Sequence, residues 1–217
     1  LEGRVRVNGR IVLLPYLEVD PERDDVRCDG RRAVPSAHVY VAMNKPVGVV
    51  CAVTDKYDPV VVDLLPERLR RERIYPAGRL DRESEGLLIL TNDGSFAQSI
   101  LHPSRGVTKE YEVLLNIEIN ERQTERWRNG FEIQGRHVRP IALSALSREP
   151  QGRWLRVVIG EGLKREVRTM ANLAGFSVRA LIRRRVGRMV LENLRVGEFV
   201  ELSFSELYTK IFEGGAV

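Results

Sequence analysis

Short apolar and β-branched runs separated by turn residues dominate the chain and predict many strands with few helices between them. The runs expected to form strands are Val39–Met43, Leu87–Leu90, Tyr111–Leu115, His137–Leu146, Trp154–Ile159, Ala180–Ile182, Met189–Leu191 and Phe199–Leu202, and Val47–Val53 is a further apolar run. Because helices are few and interspersed, we expect an α+β domain with a mixed, mostly antiparallel central sheet.

Helical spacing is confined to a few segments that carry start or stop signals. Positions Val167, Met170, Ala171 and Ala174 follow the i, i+3, i+4, i+7 rule, and Gly175 ends that helix. On the same helix we expect Arg165 and Arg168, three positions apart, to share the opposite face of its first turns. The predicted helices are Phe96–Leu101 before Pro103, Glu121–Asn129 capped by Asn120 and ended by Gly130, Lys164–Leu173, and a last one near Ser205–Phe212.

The first part of the chain differs from the rest. Val5 and Val7 alternate with arginines, and Asn8-Gly9 then predicts the tight turn of a hairpin. This piece is too short to bury a core of its own. We therefore predict two parts, residues 1–35 as a small module with a linker and residues 36–217 as the main domain.

Composition narrows the class of protein. The 217 residues are 43% hydrophobic and 30% charged, which suits a folded chain with a sizeable core. No apolar run approaches the roughly 18 residues that span a bilayer, and no signal pattern is visible, so we expect a cytoplasmic protein without a membrane segment. Cys28 and Cys51 lack metal-ligand spacing and are expected to be reduced thiols. Since the sequence begins at Leu1, we expect it to be a piece of a longer chain.

Positive charge is concentrated late in the sequence. The net charge is +5 and the pI about 9.5. Between positions 161 and 188 only Glu161 and Glu166 oppose a large basic set, consisting of Lys164, Arg165, Arg168, Arg179, Arg183, Arg184, Arg185 and Arg188. Such a concentration is typical of a surface that binds a polyanion, most often nucleic acid, and equally of a solvated arginine-rich face.

One acid stands out in the stretch Gly78–Gly94, GRLDRESEGLLILTNDG. Asp81 lies between Arg79 and Arg82, just before the apolar run Leu87–Leu90. It could accept backbone hydrogen bonds in a turn while an arginine neutralises it, or it could act as an ionised nucleophile or base. A single outstanding carboxylate argues against the paired acids of a glycoside hydrolase.

The same stretch resembles the signature of pseudouridine synthases, and most of all the RsuA/RluB-like branch that modifies bacterial ribosomal RNA. Three further segments resemble family motifs in the expected order: Met43–Gly48 (MNKPVG), Lys109–Tyr111 (KEY) and Glu161–Met170 (EGLKREVRTM). The resemblance runs from about residue 40 to about residue 202. The opening piece resembles the C-terminal part of an S4-type RNA-binding domain.

This resemblance implies a pseudouridine-synthase fold and the isomerisation of uridine to pseudouridine without a cofactor or a metal. Asp81 corresponds to the essential acid, which acts either as a nucleophile on ribose carbon 1′ or as a base that yields a glycal. Arg168 corresponds to the basic residue that pairs with this acid. Tyr111 corresponds to the aromatic residue that stacks on the target base, and Val167 to the apolar residue on its other side.

The resemblance also implies a set of substrate contacts. Lys45 is expected to position its loop or to bind a phosphate, and Arg79 lies next to the acid or ties the loop to its surroundings. The remaining expected RNA contacts are Lys164, Arg165, Arg183, Arg184 and Arg185, the last three on phosphates.

The expected partner is ribosomal RNA, with 23S favoured over 16S, and the expected state is a monomer. The alternatives are a 16S enzyme, an RNA-binding assembly factor that has lost the chemistry, and a hydrolase of nucleosides.

Overall fold

The computed structural model describes residues 2–14, 16–34 and 37–213, and the chain divides into two compact units, Leu1–Ala37 and His38–Val217. The first unit is a small antiparallel sheet with strand order β2-β1-β3-β4. Its strands are β1 Val5–Val7, β2 Arg10–Ile11, β3 Val26–Cys28 and β4 Arg31–Arg32. The hairpin predicted at Asn8-Gly9 is present, since both residues adopt positive φ angles (50° and 81°) as a two-residue turn requires. Its relation to S4-type domains stays a prediction.

The second unit contains the remaining strands and the helices. Its strands are β5 Tyr40–Lys45, β6 Tyr75–Pro76, β7 Glu85–Thr91, β8 Lys109–Leu115, β9 Phe131–Ile133, β10 Arg136–Val138, β11 Ala142–Ala145, β12 Trp154–Ile159, β13 Val178–Val186, β14 Met189–Val190 and β15 Phe199–Leu202. Its α-helices are α1 Glu67–Arg71, α2 Gly94–Leu101, α3 Glu121–Asn129, α4 Glu166–Leu173 and α5 Phe204–Tyr208. Single turns of 3-10 helix lie at Val61–Leu64 and Pro103–Arg105, and a π-helical turn at Thr209–Glu213 continues α5.

A mixed sheet organises this unit. Its strand order is β11-β12-β8-β13-β7-β5-β15, with β14 beside β13 and β6 beside β7. Of the strand pairs in the described chain, β7 with β13 is parallel and the others are antiparallel. The predicted α+β class with a mixed, mostly antiparallel sheet is therefore confirmed, while β9 and β10 form a separate hairpin.

The sheet is buried on both faces in its centre, which explains why β7 is apolar at consecutive positions. Leu88 and Leu90 pack into one cluster with residues of α1, α3 and α4. Leu87 and Ile89 point the other way and pack with residues of α2 and α5. When a strand is buried on both faces of its sheet, consecutive positions are apolar and do not alternate with polar residues. The apolar run that follows Asp81 is therefore part of a central strand that is packed on both faces.

Tight backbone approach occurs where β7 meets β13. Gly86 has a φ of +114° and is the register partner of Arg183. A Cβ placed there would lie under 3.0 Å from the main-chain N, C and O of Arg183. Only glycine lets the parallel pair form at this point.

Several predicted boundaries held, and others were wrong for local reasons. Helix α3 and strand β12 match their predicted bounds. The predicted strand 137–146 is broken into β10 and β11 around Pro140, which has no N–H to donate to a ladder. The apolar run Val47–Val53, for which no element was predicted, forms a loop with an isolated bridge at Val50. None of the helices in the described ranges combines the length and the apolar character needed to cross a membrane.

The late helix also begins later than predicted. Arg165 adopts a left-handed conformation (φ 56°) at the N-cap, so α4 starts at Glu166 and not at Lys164. Val167, Met170, Ala171 and Ala174 are buried, as their spacing predicts. Arg168, predicted on the face opposite these apolar positions, is buried as well, at 9% exposure.

Candidate active site

Asp81 lies in a loop, residues 78–84, that joins β6 to β7 and is called the acid loop below. Its side chain is 26% exposed. The neighbouring arginine does not neutralise it, because Arg82 pairs with Asp58 at 2.9 Å and donates to the carbonyl of Gly48. Within the described residues the carboxylate accepts no hydrogen bond from a main-chain N–H, which argues against a purely turn-forming role.

Three buried cations from distant segments hold the acid loop. Lys45, fully buried, donates from Nζ to the carbonyls of Pro46 and Ser84, both at 2.8 Å, and to that of Asp81 at 3.3 Å. Arg183, 5% exposed, donates from Nε to the carbonyl of Leu87 at 2.7 Å and from Nη1 to that of Arg79 at 3.3 Å. These bonds tie main-chain carbonyls in and next to the acid loop to buried cations, and the Asp81 carbonyl also accepts the main-chain N–H of Ser84 at 3.0 Å.

Burial changes the roles expected for two of these residues. Lys45 was expected either to position its loop or to bind phosphate, and its complete burial supports only the first role. Arg183 was expected on an RNA-facing surface, but its guanidinium is used inside the fold to support the acid loop. Neither side chain is free to meet a phosphate.

The third cation, Arg168, faces the carboxylate. Its Nε lies 3.6 Å from Asp81 Oδ2, and Arg165 Nη1 lies at the same distance from that oxygen. Arg168 Nη2 donates to the carbonyl of Glu83 at 3.1 Å and to Ser84 Oγ at 3.2 Å, whereas its buried Nε has no hydrogen-bond partner. Burial lowers the pKa of Arg168, Arg165 lowers it further, and Asp81 raises it.

The two arginines differ in how firmly they are held. The Arg168 side chain is 10% exposed and fixed from several directions, but that of Arg165 is 44% exposed. Arg165 also pairs with Glu83 at 3.2 Å and lowers the pKa of that carboxyl. Asp81 therefore faces one rigid and one exposed guanidinium, and both stabilise a negative charge on it.

A cavity of about 160 Å³ opens beside Asp81. Tyr111, 8% exposed, and Val167, 3% exposed, line it together with Asp81 and Arg165. Part of its wall is apolar, formed by Ile89, Ile100, Ile159, Leu163, Leu181 and Val186. The residues selected from the sequence thus come from the acid loop, from β8 and from the start of α4, and the fold brings them together at one site.

Two further charged residues of this cavity belong to motifs noted in the sequence but were assigned no role there. Lys109 lies two positions before Tyr111 on β8, and Glu166 is the first residue of α4. The signal for Lys109 was available, because residues two apart on a strand share a face. The burial of Glu166, at 3% exposure, depends on how α4 docks and has no local signal.

Other predicted contacts lie at the rim or away from the cavity. Arg79 is exposed and lines the cavity, and Lys164 is exposed next to Arg165. Arg184 pairs with Glu112 at 3.5 Å and Arg185 with Glu110 at 3.1 Å. Since these glutamates alternate with Tyr111 along β8, they point to the opposite face of the sheet. Arg184 and Arg185 were expected on phosphates, but they are paired there and do not line the cavity.

Comparison with known proteins shows the family of this chain. Residues 39–173 match the model of the RNA pseudouridylate synthase family, and the chain belongs to that family. The resemblance drawn from the sequence is thereby confirmed. A protein of Aquifex aeolicus described as an uncharacterized RNA pseudouridine synthase is 34% identical over 95% of this chain and 83% of its own length. YtzG of Bacillus subtilis, described in the same words, is 36% identical over 95% of this chain and 87% of its own.

A plant relative is longer. SVR1 of Arabidopsis thaliana, named as a chloroplastic ribosomal large subunit pseudouridine synthase, is 35% identical over 95% of this chain, which spans only 54% of that protein. Among solved structures, a pseudouridylate synthase matches with a TM-score of 0.73 and 27% identity, covering 96% of this chain and 89% of that one. The archaeal Nop10–Cbf5 complex matches with a TM-score of 0.52 at 20% identity, which shows the fold alone.

Proposed function

We propose that this chain isomerises a specific uridine of ribosomal RNA to pseudouridine, and that the substrate is the large-subunit (23S) RNA. The observation that carries the proposal is the placement of Asp81 between two guanidinium groups at the mouth of a cavity that Tyr111 and Val167 line. The choice of large-subunit RNA rests on the name of the Arabidopsis relative and on the motifs EGLKREVRTM and HPSRGVTKEYEV.

In the proposed reaction the bond from uracil N1 to ribose C1′ breaks and a bond from C5 to C1′ forms. The carboxylate of Asp81 either attacks C1′ as a nucleophile or removes a ribose proton to give a glycal. Both routes need negative charge on Asp81, which the guanidinium groups of Arg165 and Arg168 stabilise. The Tyr111 ring and the Val167 side chain, from β8 and α4, would hold the base between them.

The target nucleotide must leave its stack to reach this cavity, at a cost of a few kcal/mol. The cavity mouth provides charge for the RNA backbone, because Arg79 and Arg165 line the cavity and are exposed, and Lys164 is exposed next to Arg165 in the chain. We assign phosphate contacts to these three residues. The small unit Leu1–Ala37 would add RNA contacts as an S4-like module, and the enzyme would act as a cytoplasmic monomer.

The substitution Asp81→Asn tests the proposal because it removes the charge and keeps the size of the side chain. It should leave affinity for ribosomal RNA within about twofold and abolish pseudouridine formation. The matched control is Glu118→Gln, which changes an exposed carboxyl that does not line the cavity and should keep the wild-type rate. Turnover by the Asp81→Asn variant would rule out the proposed mechanism.

A further inference from the structure

Within the part of the chain that the structure describes, Lys109 is a cavity-lining cation without a hydrogen-bonded or ion-paired partner. It begins β8, and because alternate residues of a strand share a face, its side chain lies on the face of Tyr111. It lines the same cavity as Asp81 and Tyr111. Within residues 2–14, 16–34 and 37–213 its ammonium makes no hydrogen bond and no ion pair, unlike Lys45, which is bonded to the acid loop.

Glu166 is the cavity carboxylate that acts on Lys109 electrostatically, but the two form no ion pair within the described residues. Glu166 Oε2 accepts the main-chain N–H of Leu163 at 2.9 Å. Burial lowers the pKa of Lys109 and Arg183 lowers it further, while Glu166 raises it. Burial in turn raises the pKa of Glu166. A partly buried ammonium without a hydrogen-bonded partner is unfavourable in the free protein, so its position calls for an acceptor that arrives with a ligand.

The cavity as a whole favours a negative ligand. Four cationic side chains and two carboxylates line it, namely Arg79, Lys109, Arg165 and Arg183 against Asp81 and Glu166. Arg183 is committed to main-chain carbonyls, and Arg165 faces Asp81 and Glu83. That leaves Lys109 as the cation on the face where the base would stack.

We infer that Lys109 is a further catalytic residue whose ammonium stabilises the uracil anion formed when the N1–C1′ bond breaks. The inference rests on the proposed function. The electron pair of the broken bond leaves with the base and spreads over N1, O2 and O4. A carbonyl oxygen of the anion accepts a hydrogen bond from Lys109, which keeps its proton. C5 then bonds to C1′. On the nucleophilic route this breaks the bond between C1′ and the Asp81 carboxylate, and on the glycal route Asp81 returns the ribose proton. The C5 proton is lost and N1 gains one, so atoms and charge balance on either route.

The apolar wall strengthens this effect. Ile159, Leu181 and Val186 lie in the same lining as Lys109, and a charge works more strongly where water is excluded. A phosphate would instead meet the exposed rim residue Arg79. We therefore assign Lys109 to the base and not to the RNA backbone.

The test compares two substrates whose uracils differ as leaving groups. Single-turnover rates are measured for wild type and Lys109→Met on ribosomal RNA transcribed with uridine or with 5-fluorouridine, by nuclease digestion and mass spectrometry of the nucleosides consumed. Fluorine stabilises the uracil anion and reduces the need for the ammonium. The variant should be about 10²–10³-fold slower than wild type on uridine, as for loss of one donor to a developing anion, and clearly less impaired on 5-fluorouridine.

Controls separate the other roles that Lys109 could have. Lys109→Arg keeps the charge and should restore part of the rate on uridine RNA. Lys56→Met removes an exposed lysine that does not line the cavity and should leave the rate on both substrates unchanged. Affinity for RNA should be unchanged in Lys109→Met.

Equal impairment of Lys109→Met on both substrates would contradict the inference and indicate a structural role. Weaker RNA binding with a shallower salt dependence would contradict it in favour of a phosphate contact. Wild-type protein that consumes no uridine in ribosomal RNA would instead overturn the proposed function, and this inference with it.

Discussion

Arg165 and Arg168 offer a matched pair for measuring what holds the acid loop. Each places a guanidinium nitrogen 3.6 Å from Asp81 Oδ2, but the side-chain exposures are 44% and 10%. If the ion pair with Asp81 determined the stability of the loop, removing either arginine would lower the free energy of unfolding by the same amount. If burial and main-chain bonding set it, the two costs would differ several-fold.

The structure gives the expected magnitudes. Arg168→Ala removes bonds to the carbonyls of Glu83 and Val178 and to Ser84 Oγ, at 3.1, 3.3 and 3.2 Å. At about 1 kcal/mol each, and with Asp81 left facing a hole, the loss is roughly 3 kcal/mol. Arg165→Ala removes exposed pairs only and should cost less than about 1 kcal/mol.

Urea unfolding followed by circular dichroism measures both variants against wild type, with equal slopes taken as evidence that only stability changed. Arg168→Lys keeps a charge without the planar fork and should fall between Arg168→Ala and wild type. Both variants should unfold in a cooperative transition. If their free energies of unfolding differ by less than about 0.5 kcal/mol, this explanation of the acid loop is refuted.

Three further outcomes are expected. Gly86→Ala should destabilise the chain by at least about 2 kcal/mol more than Gly175→Ala in urea unfolding. Both glycines have positive φ angles, but of the two only Gly86 would bring its new Cβ against main-chain atoms. Equal losses of stability would contradict the tight β7–β13 contact. Burial alone would raise the pKa of Asp93, but hydrogen bonds from Ser95, Phe96 N and Tyr40 outweigh it and set the pKa at about 2. This depressed pKa stabilises the fold at pH values above the unfolded pKa near 4, and the stabilisation is lost as the pH falls toward 2. Asp93→Asn should therefore lower the free energy of unfolding by about 2 kcal/mol at pH 7 and by almost nothing near pH 2. A difference between variant and wild type that does not change with pH would be evidence against this account. Lys164→Ala should lower the slope of log affinity for RNA against log salt by about one, while Arg122→Ala on α3 should not.

Local signals predicted much of the fold. Helix α3 has its predicted ends because Asn120 and Gln123 form a capping box and Gly130 stops the helix. The apolar spacing of Val167 and Met170 identified the buried face of α4. Patterns of this kind depend only on neighbours in sequence, and so they can be read before the fold is known.

Long-range contacts could not be predicted in the same way. The charge pattern placed Arg183 on a surface, but its guanidinium bonds to carbonyls of Leu87 and Arg79 about a hundred positions earlier in the chain. Arg168 was selected as the partner of Asp81, yet its burial follows from the docking of α4 beside the acid loop. A basic run in the sequence is thus divided by the fold into internal supports, ion pairs and rim residues.

The most direct test of the account is to map pseudouridines on unmodified 16S and 23S transcripts after incubation with wild-type protein and with Asp81→Asn. Carbodiimide labelling and reverse transcription show the position of each modified uridine. The account predicts one enzyme-dependent stop in 23S RNA that the Asp81→Asn variant does not produce. A stop in 16S RNA would contradict the assigned substrate, and a stop that persists in the variant would contradict the central role of Asp81.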